Sequence, residues 1–257
     1  MNLFKNRFIA HRGLHKSRII PENSILAFKA AIEKNYAIEF DINITKDNQI
    51  VVFHDDDLNR LCNKKEKIED VTYTFLKDLK LYESDEKIPL LKELLDEVNG
   101  KIPLVIEIKK HENIGVLENI LIEMLKEYKG EYFICSFEKD ILFWFRNNKP
   151  KQKRGLIFAS FPNKFKKYEK AVFIYKFFKT KADFISLENK LINSLIYDFC
   201  KKKNLEVIVW TIKDKKRFKQ IEKKVNGVAE LLDKKFKPFD ILADTKTFDK
   251  SILSIQD

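Results

Sequence analysis

The sequence predicts an α/β protein built as a (β/α)8 barrel, on three observations. Short apolar, β-rich runs recur along the whole chain, and helical periodicity separates most of them. The length of 257 residues, 44% of them hydrophobic, suits one large domain with a sizeable core.

The strand-like runs fall at 8–10, 37–42, 50–53, 104–108, 132–135, 156–159, 184–187, 207–210 and 240–243. Only residues 43–49 separate the second run from the third, too few for a parallel crossover, which takes about a dozen. The third run is therefore expected to fold back as a hairpin, with Thr45-Lys46-Asp47-Asn48 as its turn, which leaves eight barrel strands. Helical patterns lie at 24–34, 91–98, 115–128, 139–147, 168–178, 191–203 and 214–224. The first follows Asn23-Ser24, and either residue can cap it ahead of the apolar series Leu26, Ala30, Ala31. Residues 56–89 are too many for a simple loop and predict a small insertion after the second barrel strand, with a short helix at 73–81. No repeat or low-complexity linker breaks the chain, so residues 1–257 are expected to form a single domain.

Composition narrows the function classes. No secretory h-region follows the first residues, and no run approaches the roughly 18 apolar residues of a membrane span. Cys62, Cys135 and Cys200 are odd in number and far apart, as reduced thiols of a cytoplasmic protein would be. The six glycines form neither G-x-G-x-x-G nor a Walker loop, which sets dinucleotide and P-loop chemistry aside. Charge is uneven: residues 1–148 hold 23 basic against 26 acidic side chains, and residues 149–257 hold 27 against 13. A basic half attracts phosphate-bearing molecules or anionic lipid, although its lysines also read as solvated helix faces. Residues 158–181 interleave six Phe and two Tyr with lysines. The expectation there is an outer barrel helix packing its aromatics on the sheet; the alternative is an interfacial helix.

The chemistry sits in a few short strings. Glu39 and Asp41 are two apart in a strand, so both carboxylates aim at one side and can share a cation. Glu107 and Lys109 close an apolar run in the same way, placing a third carboxylate beside an ammonium. All-carboxylate donors favour Mg²⁺, Ca²⁺ or Mn²⁺ over zinc. His11 ends the first strand and His54 ends the hairpin, where barrel sites form and where imidazoles can do acid and base work. His15 and His111 lack such a setting and read as structural.

Taken in order, His11-Arg12-Gly13, Pro21-Glu22-Asn23, Glu39-Phe40-Asp41, Thr45-Lys46-Asp47, His54-Asp55 and Glu107-Ile108-Lys109 resemble the glycerophosphodiester phosphodiesterase family over residues 8–109. The resemblance implies metal-dependent hydrolysis of glycerophosphodiesters to an alcohol and sn-glycerol 3-phosphate on a TIM barrel, with residues 56–89 as the family's insertion over the mouth. It gives His11 and His54 the proton transfers, Glu39, Asp41 and Glu107 the divalent ion, and Arg12 and Lys109 the phosphate. Glu22 and Asn23 would orient His11 or the glycerol moiety. Trp210, in Val209-Trp210-Thr211, matches a tryptophan at the family's barrel mouth and reads equally as a core aromatic. The match loosens in the second half: Ile241-Leu242-Ala243-Asp244 has Ala where the family has Thr, and no proline follows. Expected partners are a small glycerophosphodiester and, weakly, an anionic membrane surface, with no nucleic acid. The competing functions are phospholipase D-like cleavage of lysophospholipids or sphingolipids, and a non-catalytic barrel that binds anionic lipid.

Overall fold

The structure, a computed structural model, describes residues 8–16, 18–212, 215–221 and 223–229. Its strands are β1 (Phe8–His11), β2 (Ala37–Ile44), β3 (Ile50–Val52), β4 (Leu104–Ile108), β5 (Tyr132–Ser136), β6 (Arg154–Phe158), β7 (Phe184–Glu188), β8 (Glu206–Trp210) and β9 (Gly227–Ala229). All but β3 run parallel, and β1 pairs with both β2 and β9, so eight strands close a ring. This is the expected (β/α)8 barrel. As anticipated, β3 turns back antiparallel on β2, with Ile44 opposite Ile50 and Asn48 donating its backbone N–H to Thr45.

Helices α1 (Ile25–Glu33), α2 (Asn59–Cys62), α3 (Tyr73–Leu76), α4 (Leu91–Val98), α5 (Val116–Lys126), α6 (Lys139–Asn148), α7 (Glu169–Thr180), α8 (Leu195–Lys202) and α9 (Lys215–Ile221) complete the chain. Strand side chains alternate between two cores, as the pleat dictates. Ile9, Val105, Phe133, Ile157, Phe184 and Ile208 fill the barrel interior. Ile38, Phe40 and Ile42 of β2 and Ile106 of β4 join Phe28, Leu94 and Leu121 in the layer between sheet and helices. The insertion is pinned under its own small cluster of Phe53, Leu58, Leu61, Leu76 and Leu81.

Two expectations shift, and one lies where nothing is described. The last strand, expected at 240–243, falls outside the described residues, and β9 holds the place between β8 and β1. Its short Gly-Val-Ala run gives no apolar signal to read. The short helix at 73–81 stops at Leu76, because the chain turns there (Leu79 N–H to Leu76 C=O) and Lys80 bridges back to Lys87. The aromatic segment divides: Phe158 and Phe173 are buried, but residues 163–168 form a 3-10 turn that leaves Phe165 and Tyr168 48% and 52% exposed. Among the described residues no helix is long and apolar enough to cross a membrane.

Candidate active site

The registers of β1, β2 and β4 bring the predicted residues together. His11 lies opposite Glu39 and Asp41 opposite Glu107, which brings the carboxylates of β2 level with the C-terminal ends of β1 and β4. Glu39, Asp41 and Glu107 are buried, with carboxylate oxygens within 4.8 Å of one another. Such crowding is costly without a counter-charge. Burial, with the charges of Asp41 and Glu107, pushes the Glu39 carboxyl up to about 8. Glu107 rises for the same reasons, burial first and Asp41 second. Asp41 goes the other way: despite its burial, Lys109, His54 and Arg12 hold it below the usual carboxylate range. Its Oδ1 nevertheless accepts no hydrogen bond, and the nearest cation, Lys109 Nζ, stands 3.5 Å away. Oxygen-only donors, an orphaned buried oxygen and a carboxyl pushed up by burial beside two other carboxylates together fit a hard divalent cation.

The string after β1 owes its form to backbone conformation. Arg12 and Gly13 have φ of 58° and 77°, in the left-handed region. A Cβ on Gly13 would stand 2.8 Å from Ala27 Cβ and 2.9 Å from Phe28 Cδ1, so glycine is required there. The turn swings Arg12 back over the carboxylates. Its backbone N–H donates to Glu39 Oε2 at 3.1 Å and its Nη1 to Glu22 Oε1 at 2.6 Å, while Nε sits 3.4 Å from Asp41 Oδ2. His11 Nε2 is 3.9 Å from Glu39 Oε2.

Asn23 and Ser24 resolve the ambiguity at the start of α1. Ser24 is the cap, its hydroxyl accepting from Ala27 N–H. Asn23, with φ of 56°, instead donates its Nδ2 to Asp41 Oδ2 at 3.0 Å. Glu22 joins two arginines, Arg12 and Arg60, whose bonds and charges overcome its burial and hold its carboxyl down to about 2.

The hairpin delivers His54. Phe53 N–H donates to the Asp41 carbonyl, and Asn43 Nδ2 donates to the carbonyls of Phe53 and Asp55, so the chain returns to the level of the carboxylates. His54 Nδ1 lies 2.6 Å from Asp55 Oδ1. Asp55 is also gripped by Arg60, and both contacts, against partial burial, keep it well below the usual range. On β4's extension, Lys109 Nζ sits 2.8 Å from Glu107 Oε1. Although burial alone would lower it, Glu107 and Asp41 raise its pKa.

A cavity of about 160 Å³ receives His11, Arg12, Glu39, His54 and Glu107 on one side and Phe137 and Trp210 on the other. Trp210 packs edge-to-face on Phe137 at 5.8 Å, and its indole N–H has no hydrogen-bond partner among the described residues. The structure thus groups all ten predicted residues, while Glu22 serves Arg12 rather than His11 in its described contacts.

Sequence reasoning missed Arg60 and Asn43, and its reading of His111 as a structural residue fits the contacts found. Asn43 continues the Glu39, Asp41 alternation by two more residues and was readable from it. His111 is buried, its Nδ1 2.9 Å from the Lys109 carbonyl and its Nε2 3.1 Å from Glu118, where it braces the segment that carries Lys109. Arg60 lies on a one-turn helix in the insertion, and no local pattern marks it.

Fixed cations beside clustered carboxylates and two imidazoles, at the C-terminal end of a βα barrel, suit attack on a phosphate ester, where negative charge builds on oxygen. That combination defines a class of barrel phosphodiester hydrolases. The chain belongs to the glycerophosphoryl diester phosphodiesterase family, whose profile matches residues 11–230. YhdW of Bacillus subtilis is 30% identical over 217 residues, 81% of this chain and 86% of its own length. A glycerophosphodiester phosphodiesterase of Caldanaerobacter subterraneus is 37% identical over 169 residues, 60% of this chain and 67% of its own. Among solved structures, a phosphodiesterase of Oleispira antarctica in complex with the product sn-glycerol-3-phosphate shares the fold, with a TM-score of 0.75 at 21% identity over 87% of this chain and 92% of that one.

Proposed function

We propose that the protein hydrolyses glycerophosphodiesters to an alcohol and sn-glycerol 3-phosphate, with Glu39, Asp41 and Glu107 holding one divalent ion, Mg²⁺, Ca²⁺ or Mn²⁺, and with His11 and His54 transferring the protons. One observation carries the reading: Glu39 and Glu107 meet both histidines at a single cavity, and the third buried carboxylate, Asp41, clusters with them within 4.8 Å with one oxygen unsatisfied. When bound, the ion supplies positive charge to a phosphate oxygen.

The chain's own groups do the rest. Arg12 and Lys109 bind the remaining phosphate oxygens and offset their growing charge. Glu22 fixes the Arg12 guanidinium, and Asn23 and Lys109 fix Asp41. Asp55 takes the Nδ1–H of His54, which leaves Nε2 as the atom that exchanges a proton with the substrate. His11, on β1 at the same cavity, handles the second proton, so one imidazole activates the nucleophile while the other protonates the leaving alkoxide. Trp210 and Phe137 form an apolar wall for the alcohol, and the free indole N–H is a donor for one of its oxygens.

That apolar wall also favours a second reading, phospholipase D-like cleavage of lysophospholipids. One experiment tests both: incubate the protein with glycerophosphodiesters and lysolipids under Mg²⁺, Ca²⁺ or Mn²⁺ and detect glycerol 3-phosphate from the former and 1-acylglycerol 3-phosphate from the latter. Release from none of the glycerophosphodiesters rejects the first reading. Three free cysteines suit the reducing cytoplasm as the site of action.

A further inference from the structure

Large hydrophobic side chains left in water are distributed unevenly over this barrel. Six of the nine exposed ones among the described residues, Ile19, Ile114, Val116, Phe165, Tyr168 and Leu195, lie in segments that lead from a barrel strand into its following helix or in that helix's first turn. In a parallel barrel these segments all border the C-terminal end, where the cavity of His11 and Glu107 opens. Scattered single apolar residues need no explanation, but a one-sided grouping does.

The segment between β6 and α7 adds charge to that rim. Residues 162–168 are all exposed, and they alternate Lys164, Phe165, Lys166, Lys167 and Tyr168. Lys164 Nζ and Lys167 Nζ each stand 4.9 Å from the centroid of the neighbouring ring, so the ammonium groups flank the aromatics. The nearest acid, Glu169, is buried and already bonded to Lys166 and to Phe161 N–H. Aromatic rings presented among unneutralised lysines match the headgroup layer of an anionic bilayer, where rings enter the acyl boundary and ammonium groups meet phosphates. A folded protein partner would call for a continuous apolar patch with fewer lysines.

We propose that the C-terminal rim of the barrel, led by Phe165 and Tyr168 with Lys164 and Lys167, docks on an anionic phospholipid surface and so turns the cavity toward the membrane. The inference rests on surface residues and stands apart from the assignment of the proton-transfer and metal groups.

Sedimentation with vesicles of phosphatidylcholine, with and without phosphatidylglycerol, tests it. The full-length protein should pellet with the anionic vesicles and not with the neutral ones. Lys164→Gln with Lys167→Gln should weaken binding roughly twenty-fivefold, at about fivefold per lysine at an anionic surface. Phe165→Ser with Tyr168→Ser should weaken it about tenfold or more at unchanged net charge. Hydrolysis of a water-soluble glycerophosphodiester, or the melting temperature should that activity be absent, reports that each variant is folded. Phe178→Ser, near the far end of α7, should bind as the wild type does. Failure of the wild type to pellet, binding that survives both double substitutions, or equal loss in Phe178→Ser would overturn the proposal.

Discussion

Arg60 grips Glu22 with two parallel hydrogen bonds, Nη1 to Oε2 at 2.9 Å and Nη2 to Oε1 at 2.8 Å, although the two residues are 38 apart in sequence. The same guanidinium holds Asp55 through Nε at 2.7 Å. A continuous chain therefore runs from Arg12 through Glu22, Arg60 and Asp55 to His54. It ties the group proposed to bind phosphate to one proposed to carry a proton, and it anchors the insertion to the barrel.

Arg60→Ala should accordingly damage catalysis more than stability. Its side chain is 41% exposed, so loss of the ion pairs is expected to cost only about 1 kcal/mol. Releasing both Glu22 and Asp55 lets Arg12 and His54 drift, and misplacement on the order of 1 Å lowers rates by about 10². Arg60→Lys should recover little, because an ammonium cannot make the paired contacts. Steady-state rates set beside melting curves check this, and a variant with a normal rate would leave the bridge without a catalytic part.

Gly13→Ala should be destabilising out of proportion to one methyl. The left-handed φ of 77° costs an alanine about 1–2 kcal/mol, and the contacts with Ala27 and Phe28 add to it. A loss of about 2 kcal/mol would lower the melting temperature of a chain this long by roughly 4–8 °C. Calorimetry reads the shift, and activity should fall further than stability because Arg12 rides on the same turn.

The pH dependence of the metal-free protein should bear the mark of Glu39. Its carboxyl has an ordinary value of 4.5 and stands at about 8 when folded, so between those limits the native state keeps a proton that the unfolded chain releases. This contribution to stability is thus lost as pH rises from about 4.5 to 8, and Glu107, also raised, acts in the same sense. Glu22, held down to about 2, stabilises in full throughout that window, and its stabilisation disappears only as pH falls from 4.5 toward 2. Melting temperatures in chelator across pH 5–8 should decline, and Glu39→Gln should flatten the decline. Affinity for Mg²⁺ or Ca²⁺ should rise with pH up to about 8, since binding displaces that proton. Calorimetric titration in buffers of different ionisation heat measures it.

The barrel was legible because its strands are short apolar runs with helical periods between them, and local pattern decides both. β9 was not, since three small residues closing a ring rely on their neighbours β8 and β1 rather than on their own hydrophobicity. In the site, alternation along β2 and β4 exposed Glu39, Asp41, Glu107 and Lys109. Arg60 escaped because its meaning lies in two carboxylates brought to it from other elements. The aromatic stretch misled in a specific way. Phe173 obeys helical spacing and is buried, whereas a 3-10 turn ahead of α7 breaks the period and turns Phe165 and Tyr168 outward.

Replacing His11 or His54 by Ala should lower kcat by roughly 10²–10⁴, the usual range for a lost general acid or base, with a smaller change in KM. The two lesions should separate on a substrate whose alcohol is p-nitrophenol, because that anion departs without needing a proton. Only the variant that lacks the acid should recover there, and the variant that lacks the base should stay slow. Asp55→Asn offers a cross-check: an amide in place of the carboxylate no longer fixes His54 Nδ1 as the donor, so kcat should fall with little change in KM if His54 must present Nε2 to the substrate. Rates near wild type in both histidine variants on glycerophosphodiesters would make the imidazoles structural and sink the proposed proton transfers.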